Sequence, residues 1–323
     1  MKNLIDLLLR VLFAFANKPT TPVVHIEVEN LPEPEPTPEE NLPDSYEVEV
    51  PDHDYIELGD SGEHVEELQR LIRSKGIAVD VDGKFGPQTE GAVIQLQTRL
   101  GLVADGKVGP KTMDSIRGIV ISKYLSQSDI VDAAKLLGVS VPAIMAVSEV
   151  ESRGKGFFSN GLPSILFERH IMRRRLIHYK IDPTPFLVTN PNLVNASPGG
   201  YSGGVREYVR LNDAKRIHRA SAQESASWGA YQIMGFHWGL LGFTSAEQFV
   251  LAMKESERNQ LMAFVRFIKA DARLLRAIRA NDWTTFARIY NGPNFHINKY
   301  DEKMASAFAR FSYLDREGRL EAA

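Results

Sequence analysis

One eight-residue pattern occurs twice in this chain, as DGKFGPQT at residues 82–89 and DGKVGPKT at residues 105–112. Each copy contains an Asp-Gly turn, an apolar residue, a Gly-Pro pair and a threonine that is predicted to cap the following helix. Internal repetition at short range predicts one supersecondary unit written twice. We therefore expect a pseudo-symmetric helix hairpin with two similar loops.

The segments around the repeat have helical periodicity. HVEELQRLIRSKG and TEGAVIQLQTRLG place apolar residues on one face and end at Gly76 and Gly101, as helices commonly do. The chain has 323 residues, which is long for one compact domain, and its 43% hydrophobic and 24% charged content is that of a soluble globular protein. We expect a mainly α fold with a small three-helix domain over residues 55–118 and a larger helical domain over residues 126–316 that contains a short β element.

The first 54 residues differ in composition from the rest. Residues 1–17 predict an amphipathic helix, because Lys2, Asp6 and Arg10 recur every fourth residue and share one face. Its apolar part is too short to span a bilayer, and the internal charges disfavour a signal peptide. The helix could lie in a membrane interface, bind a partner or pack on this protein. Residues 18–54 predict an acidic, proline-rich linker.

Charge is unevenly distributed along the chain. Residues 17–54 contain eleven acidic residues and one lysine, whereas residues 126–323 contain nineteen acidic and twenty-six basic residues. The basic half suits an anionic partner, such as a cell-wall polymer or an anionic membrane, or is a solvated surface. No nucleic-acid module or aromatic interleaving accompanies the arginines, so nucleic-acid binding is not expected.

The repeat unit resembles a known family. The strings LGDSGEHVEELQRLIRSKG, DGKFGPQTEGAVIQLQTRLGL and DGKVGPKT look like the three-helix peptidoglycan-binding domain of many bacterial and phage cell-wall hydrolases. The resemblance implies non-catalytic binding to cell-wall peptide stems or glycan. It makes Asp82, Phe85, Thr89 and Gln95 candidate contacts, although each could instead be a turn-former or cap that holds the fold.

The larger domain contains a glutamate suited to acid catalysis. Glu151 lies in the last turn of a helix predicted over Val141 to Ser152, beside a Gly-Lys-Gly loop. A carboxylic acid near an apolar wall has a raised pKa and can donate a proton near neutral pH. From spacing alone, Glu151 could equally be a surface residue paired with Arg153.

Five strings spread over this domain carry a second resemblance. VESRGKGF, GLPSILFERH, SASWGAYQIMGFHW, FVRFIK and FARIYNGP resemble the N-acetylmuramidase domain of modular bacteriophage endolysins, which is related to goose-type lysozymes and lytic transglycosylases. The resemblance implies hydrolysis of the β-1,4 bond between N-acetylmuramic acid and N-acetylglucosamine, with Glu151 as general acid. A lytic transglycosylase giving 1,6-anhydro products, and a non-catalytic wall-binding virion protein, remain alternatives.

Further residues are candidates for the sugar cleft. Tyr231 and Gln232 follow a glycine break and could stack on a pyranose and bind an N-acetyl group, and Tyr290 and Asn291 could hold the neighbouring sugar. Glu168, in ILFERH, is the first candidate for a second catalytic carboxylate; the alternative is a structural residue held by its neighbours. Glu224 is the reserve candidate.

The sequence offers little for other chemistries. There are no cysteines, the histidines show no close metal-ligand spacing, and the serines lack a nucleophile elbow. We therefore expect no metal and no cofactor. A monomer is expected, made in the host cytoplasm and acting on the periplasmic cell wall.

Overall fold

The computed structural model describes residues 55–119, 122–152 and 156–320. The predicted N-terminal helix and acidic linker lie outside the described residues. The described chain is mainly α, with fourteen α-helices and one small antiparallel sheet, which confirms the predicted fold class. Residues 55–118 are called the binding unit, and residues 126–316 are called the catalytic unit.

The binding unit has the three expected helices, α1 (Glu63–Ser74), α2 (Pro87–Arg99) and α3 (Pro110–Ile116). Their apolar faces enclose a small core in which Val65, Ile72 and Val93 are fully buried. The apolar residue of each repeat, Phe85 and Val108, is buried in the same core. Removing these side chains from water is what fixes the two loops against the helices.

A buried glutamine holds each repeat loop in the same way. Gln69 Nε2 lies 2.9 Å from Asp82 Oδ1 and 3.0 Å from both Lys84 O and Thr89 Oγ1, and its Oε1 accepts from the Asp82 and Gly83 N–H groups. Gln97 makes the equivalent contacts in the second copy: its Nε2 donates to Asp105 Oδ1, Lys107 O and Thr112 Oγ1, and its Oε1 accepts from the Gly106 N–H. The repeat therefore encodes a loop closed around a glutamine.

The predicted capping role of the repeat threonines is wrong. Helices α2 and α3 begin at Pro87 and Pro110, with glycine at the N-cap, so Thr89 and Thr112 already lie in the first turn. Proline suits this place because its missing N–H has no partner at a helix start. The threonine hydroxyls instead accept hydrogen bonds from the buried glutamines, Gln69 and Gln97.

The catalytic unit contains one helix with a long buried stretch. Helix α5 (Val141–Ser152) buries every residue from Pro142 to Ser148 and packs along α14 (Tyr300–Arg316). The predicted bounds of α5 are confirmed. The remaining helices are α4 (Gln127–Leu137), α6 (Arg169–His178), α7 (Thr184–Thr189), α8 (Glu207–Ile217), α9 (Arg219–Glu224), α10 (Ala246–Glu255), α11 (Glu257–Ala270), α12 (Ala272–Arg279) and α13 (Trp283–Tyr290).

The sheet is the β element that was expected. Strands β1 (Ile165–Phe167), β2 (Ala226–Trp228) and β3 (Ile233–Met234) pair antiparallel in that order, with Ile165 opposite Trp228 and Trp228 opposite Ile233. The tight β2–β3 turn carries the segment Gly229 to Gln232. The sheet thereby brings this turn to the end of α5, where Glu151 lies.

No single helix in the described residues is long and apolar enough to cross a membrane. One bent pair, α4 with α5, passes a joint test of length and composition, at an angle of 111°. Both helices of the pair contribute buried residues to the core of the catalytic unit.

Candidate active site

Glu151 is held at the end of the buried helix by a residue distant in sequence. It is half-buried, in the last turn of α5. Asn291, which ends α13, donates from Nδ2 to both Glu151 carboxylate oxygens at 3.1 Å each. Asn291 is only 1% exposed, so its amide has little room to turn toward a sugar. It fixes the orientation of the carboxylate.

Two tyrosines form the wall beside this carboxylate. The Tyr231 hydroxyl hydrogen-bonds Ser148 Oγ at 2.9 Å, and the Tyr290 hydroxyl donates to Tyr231 O at 2.9 Å. Burial raises the pKa of Tyr290 well above its ordinary value, and the negative charge of Glu151 raises it further. Burial likewise raises the pKa of Tyr231. Both phenols therefore stay protonated while they hold the end of α5 and the β2–β3 turn together.

The predicted stacking role of Tyr231 does not fit its position. Its ring is 3% exposed and is stacked on Phe264, with ring centroids 4.6 Å apart. Tyr290 is stacked in the same way on Phe286, at 5.7 Å. The structure thus brings Glu151, Tyr231, Tyr290 and Asn291 together, as one support for the carboxylate rather than as a set of sugar contacts.

Gln232 is held inside the β2–β3 turn. Its Oε1 accepts from Ser227 Oγ at 2.6 Å, and its Nε2 donates to Gly229 O at 2.8 Å and to Ser164 O at 3.4 Å. Its backbone is in the left-handed region, with φ at 49°. These contacts occupy the amide that was expected to bind an N-acetyl group, and they stabilise the turn that presents Tyr231.

Two residues of α11 that the sequence analysis missed also support this turn. Gln260 accepts from the Ala230 N–H at 2.7 Å and donates to Gly156 O at 3.2 Å, so it joins the turn to the chain that follows α5. A Cβ at Gly229 would lie 2.5 Å from Gln260, which is why this place needs glycine. Glu257 accepts from the Gly156 N–H at 3.3 Å. Glycines before Ala-Tyr-Gln and Phe-Phe were the only sequence signals of such close approach.

Glu168 occupies a separate buried cluster. It is 0% exposed at the N-cap of α6, accepts from the Tyr201 hydroxyl at 3.2 Å, and lies 3.2 Å from His170 Nδ1. Burial raises its pKa, and the contacts with His170 and Tyr201 lower it in part. These contacts correspond to the structural alternative for Glu168, with His170 rather than Arg169 beside its carboxylate. Arg169 instead binds the backbone of residues 197–198.

The reserve candidate, Glu224, is equally committed. Its two carboxylate oxygens bind Arg175 Nε at 2.5 Å, the Tyr179 hydroxyl at 2.8 Å and Trp238 Nε1 at 2.7 Å. It is fully buried, where a carboxylate is stable only if paired and hydrogen-bonded. Neither candidate for the second carboxylate therefore presents an oxygen to open solvent.

The candidate contacts of the binding unit divide into two groups. Phe85, 2% exposed, and Thr89 are buried, so they hold the first loop and offer almost no surface to a ligand. Asp82 is exposed, and its hydrogen bond from Gln69 lowers its pKa, which keeps it charged. Gln95 is exposed on α2. Of these four candidates, Asp82 and Gln95 alone have exposed side chains.

Metal ligation has no support in the described residues. No group of three or more histidine, aspartate or glutamate side chains within residues 55–119, 122–152 and 156–320 could hold a metal ion. Among the described residues, the end of α5 brings together the Glu151 carboxyl group, the neutral Asn291 amide and two phenols.

Comparison with known proteins assigns both units to described families. Residues 140–312 match the family model described as N-acetylmuramidase, and residues 61–116 match a model for a peptidoglycan binding domain. Among solved structures, the crystal structure of a Burkholderia AP3 phage endolysin is similar, with 45% identity and a TM-score of 0.77. That likeness covers 80% of this chain and 99% of the endolysin chain.

Curated relatives share a shorter segment. A zinc D-Ala-D-Ala carboxypeptidase of Streptomyces albus G is 43% identical over 61 residues, and a probable N-acetylmuramoyl-L-alanine amidase of Bacillus licheniformis is 38% identical over 60 residues. The matched segment is 18% of this chain in both cases, and it spans 24% and 17% of those relatives. The chain thus spans a quarter or less of their length.

Proposed function

Since the chain belongs to the N-acetylmuramidase family, we propose that it is a peptidoglycan hydrolase of the lysozyme type, in which Glu151 is the general acid. The bond cleaved is the β-1,4 linkage between N-acetylmuramic acid and N-acetylglucosamine. The observation that carries this proposal is the double hydrogen bond from Asn291 to a half-buried carboxylate at the end of a buried helix.

The proposed reaction uses the change in charge on Glu151. The protonated side chain donates to the glycosidic oxygen as the bond from that oxygen to the anomeric carbon breaks, positive charge develops on the sugar ring, and the carboxyl group becomes a carboxylate. Water then adds to the anomeric carbon, and the proton that it loses returns Glu151 to its acid form. Asn291 already points its amide N–H at both oxygens, so the developing negative charge meets a preorganised donor. The protonated Tyr231 and Tyr290 keep the support neutral.

The binding unit would raise the local concentration of substrate. It belongs to a class of peptidoglycan-binding modules by its family match, and we propose bacterial peptidoglycan as the ligand. Two modules on one chain engage one polymer with an effective concentration set by their connection. The enzyme would act as a monomer and without cofactor.

The decisive experiment compares Glu151→Gln with a matched charge removal, Glu317→Gln, at the exposed C-cap of α14. Turbidity loss of purified peptidoglycan should fall by about a hundredfold to ten-thousandfold for Glu151→Gln, the range for loss of a general acid, and stay normal for Glu317→Gln. Equal clearing by the two variants would remove Glu151 from the mechanism.

One observation favours a second reaction on the same acid. Glu168 and Glu224 are both buried and bound to structural partners, which leaves a lytic transglycosylase, needing no base to activate water, as the rival. Mass spectrometry of the released muropeptides distinguishes the two reactions. Ends lighter by one water, as in a 1,6-anhydro sugar, identify the transglycosylase; reducing muramyl ends identify the hydrolase.

The site of action follows from the substrate. We propose synthesis in the host cytoplasm and action on the periplasmic wall, with residues 1–17 as an interfacial membrane contact. Deleting residues 1–16 should leave activity on purified wall unchanged and lower the fraction of protein that partitions with anionic liposomes. Unchanged partitioning would exclude the membrane contact.

A further inference from the structure

The two repeat loops are alike in sequence but differ in their surroundings. In the first copy, residues 82–89, the outward-facing side chains of Asp82, Lys84 and Gln88 are exposed. The second copy, residues 105–112, lies against the catalytic unit. There Arg310 Nη1 donates to Asp105 O at 2.9 Å, and Lys107 Nζ lies 3.5 Å from Glu149 Oε2.

The sequence difference between the copies coincides with this contact. The two strings differ at two places only, Phe85 against Val108 in the core and Gln88 against Lys111 on the surface. Lys111 Nζ lies 2.6 Å and 2.7 Å from the two carboxylate oxygens of Glu257. The loop that meets the catalytic unit thus carries a cation where the exposed loop carries a neutral amide.

Glu257 is a buried junction between the binding unit and the catalytic cluster. It is 3% exposed at the start of α11 and accepts from the Leu125 N–H at 3.0 Å and the Gly156 N–H at 3.3 Å. Its own N–H donates to Lys123 O at 2.8 Å. Glu257 therefore holds two segments in place. One, at Leu125, follows the binding unit, and the other, at Gly156, follows α5.

A small cavity joins the ion pair to the catalytic cluster. Its volume is about 30 Å³, and its lining includes both Lys111 and Glu257 of the ion pair and Ser152 and Tyr231 of the catalytic cluster. Ser152 follows Glu151 directly, and Tyr231 is the tyrosine whose hydroxyl binds Ser148 of the same helix. A shift of Lys111 would therefore change the packing of Ser152 and Tyr231, which support the general acid.

We propose that Lys111 is a positioning residue for Glu151 and that the second repeat loop is part of the catalytic scaffold. This inference rests on the proposed function. Without Lys111, the buried Glu257 charge has lost its cation, a state that is strongly unfavourable in a protein interior. Glu257 would then turn toward solvent and release the Gly156 N–H, and the end of α5 would lose its fixed position. Small displacements of a catalytic group lower turnover steeply.

The test replaces Lys111 with the residue of the other copy. Lys111→Gln makes the two loops alike at this place, Lys111→Arg keeps the charge, and Lys75→Gln removes an exposed positive charge from the same unit as a control. Turnover at saturating wall, wall binding by sedimentation and thermal unfolding are measured for each full-length variant. We expect Lys111→Gln to lose about tenfold or more in turnover at a temperature where it is folded, with binding changed by less than about twofold. Lys111→Arg should recover turnover.

A double variant separates positioning from folding. Lys111→Gln with Glu257→Gln removes both charges, so no unpaired charge is left in the interior and the glutamine can still accept from the Gly156 N–H. Turnover of the double variant above that of folded Lys111→Gln supports the proposal, and turnover as low as that of Lys111→Gln overturns it. A loss confined to wall binding, with normal turnover at saturation, also overturns it.

Glu151→Gln, run in the same assays, keeps the two proposals apart. Normal turnover of Lys111→Gln beside an inactive Glu151→Gln would end the inference and leave the proposed function intact. An active Glu151→Gln would end the proposed function itself.

Discussion

Asn291 donates its side-chain amide to both carboxylate oxygens of Glu151 across 140 residues of sequence. Both residues end helices, α13 and α5, whose buried faces set their relative position. The amide favours the charged form of the carboxyl group, whereas proton donation needs the neutral form. The pair therefore stabilises the negative charge that Glu151 acquires when it gives up its proton.

Asn291→Leu should lower the turnover of the enzyme. The variant removes both hydrogen bonds to the carboxylate, so the negative charge that develops on Glu151 loses its donor. We expect maximal turnover to fall about a hundredfold, in the range for loss of one preorganised donor. The initial rate of muropeptide release at saturating wall measures this loss. Wild-type turnover in a folded Asn291→Leu variant would contradict the assigned role.

Glu168→Gln should preserve most of the activity. The side chain is buried in a cluster with Tyr201 and His170, and glutamine can still accept from the tyrosine hydroxyl. We expect less than about a tenfold loss in wall clearing, against the hundredfold or greater loss expected for a catalytic carboxylate. Stability should change instead. A thousandfold loss in a variant with normal thermal unfolding would restore Glu168 as the second carboxylate.

Replacing Gln97 should disturb the second repeat loop and, with it, the ion pair between Lys111 and Glu257. Gln97→Leu leaves the Gly106 N–H and the acceptors of the second loop unsatisfied, which destabilises the protein by about 2–4 kcal/mol in total for several buried polar groups. Gln69→Leu has the same effect on the first loop and is the matched comparison. Calorimetry should show both losses. Only Gln97→Leu should also lower turnover at saturating wall; equal turnover in the two would contradict the division between the loops.

Acid should destabilise the protein through His237. Burial lowers the pKa of His237 from 6.5 to about 4. Between these pH values the imidazole is protonated in the unfolded chain and neutral in the folded chain. The free energy of unfolding then falls as pH drops from 6.5 to 4, by up to about 1.4 kcal/mol per pH unit from this group. His237→Leu should flatten that part of the curve. Parallel curves for variant and wild type, measured by denaturant unfolding, would exclude His237 as the cause.

At the repeat, the local structure was predictable from the sequence, whereas the burial of individual side chains was not. The Asp-Gly turns, Gly-Pro pairs and helix periodicities predicted two loops and three helices, because those preferences act over a few residues. The burial of Gln69 and Gln97 inside the two loops was not predicted, because local sequence does not distinguish a buried glutamine from an exposed one. Phe85 and Thr89 were taken as candidate contacts, but their burial depends on the helices packed around them.

At the candidate site, local periodicity predicted a glutamate in the last turn of an apolar helix. The resemblance carried by the strings implied that the segments around Tyr231 and Tyr290 lie near it. The folded chain was needed to show that Asn291 binds Glu151, that Glu168 is enclosed elsewhere, and that Lys111 contacts Glu257 over 146 residues. Such pairings arise when packed helices bring distant side chains within 3 Å or so of each other, a distance that no local pattern contains.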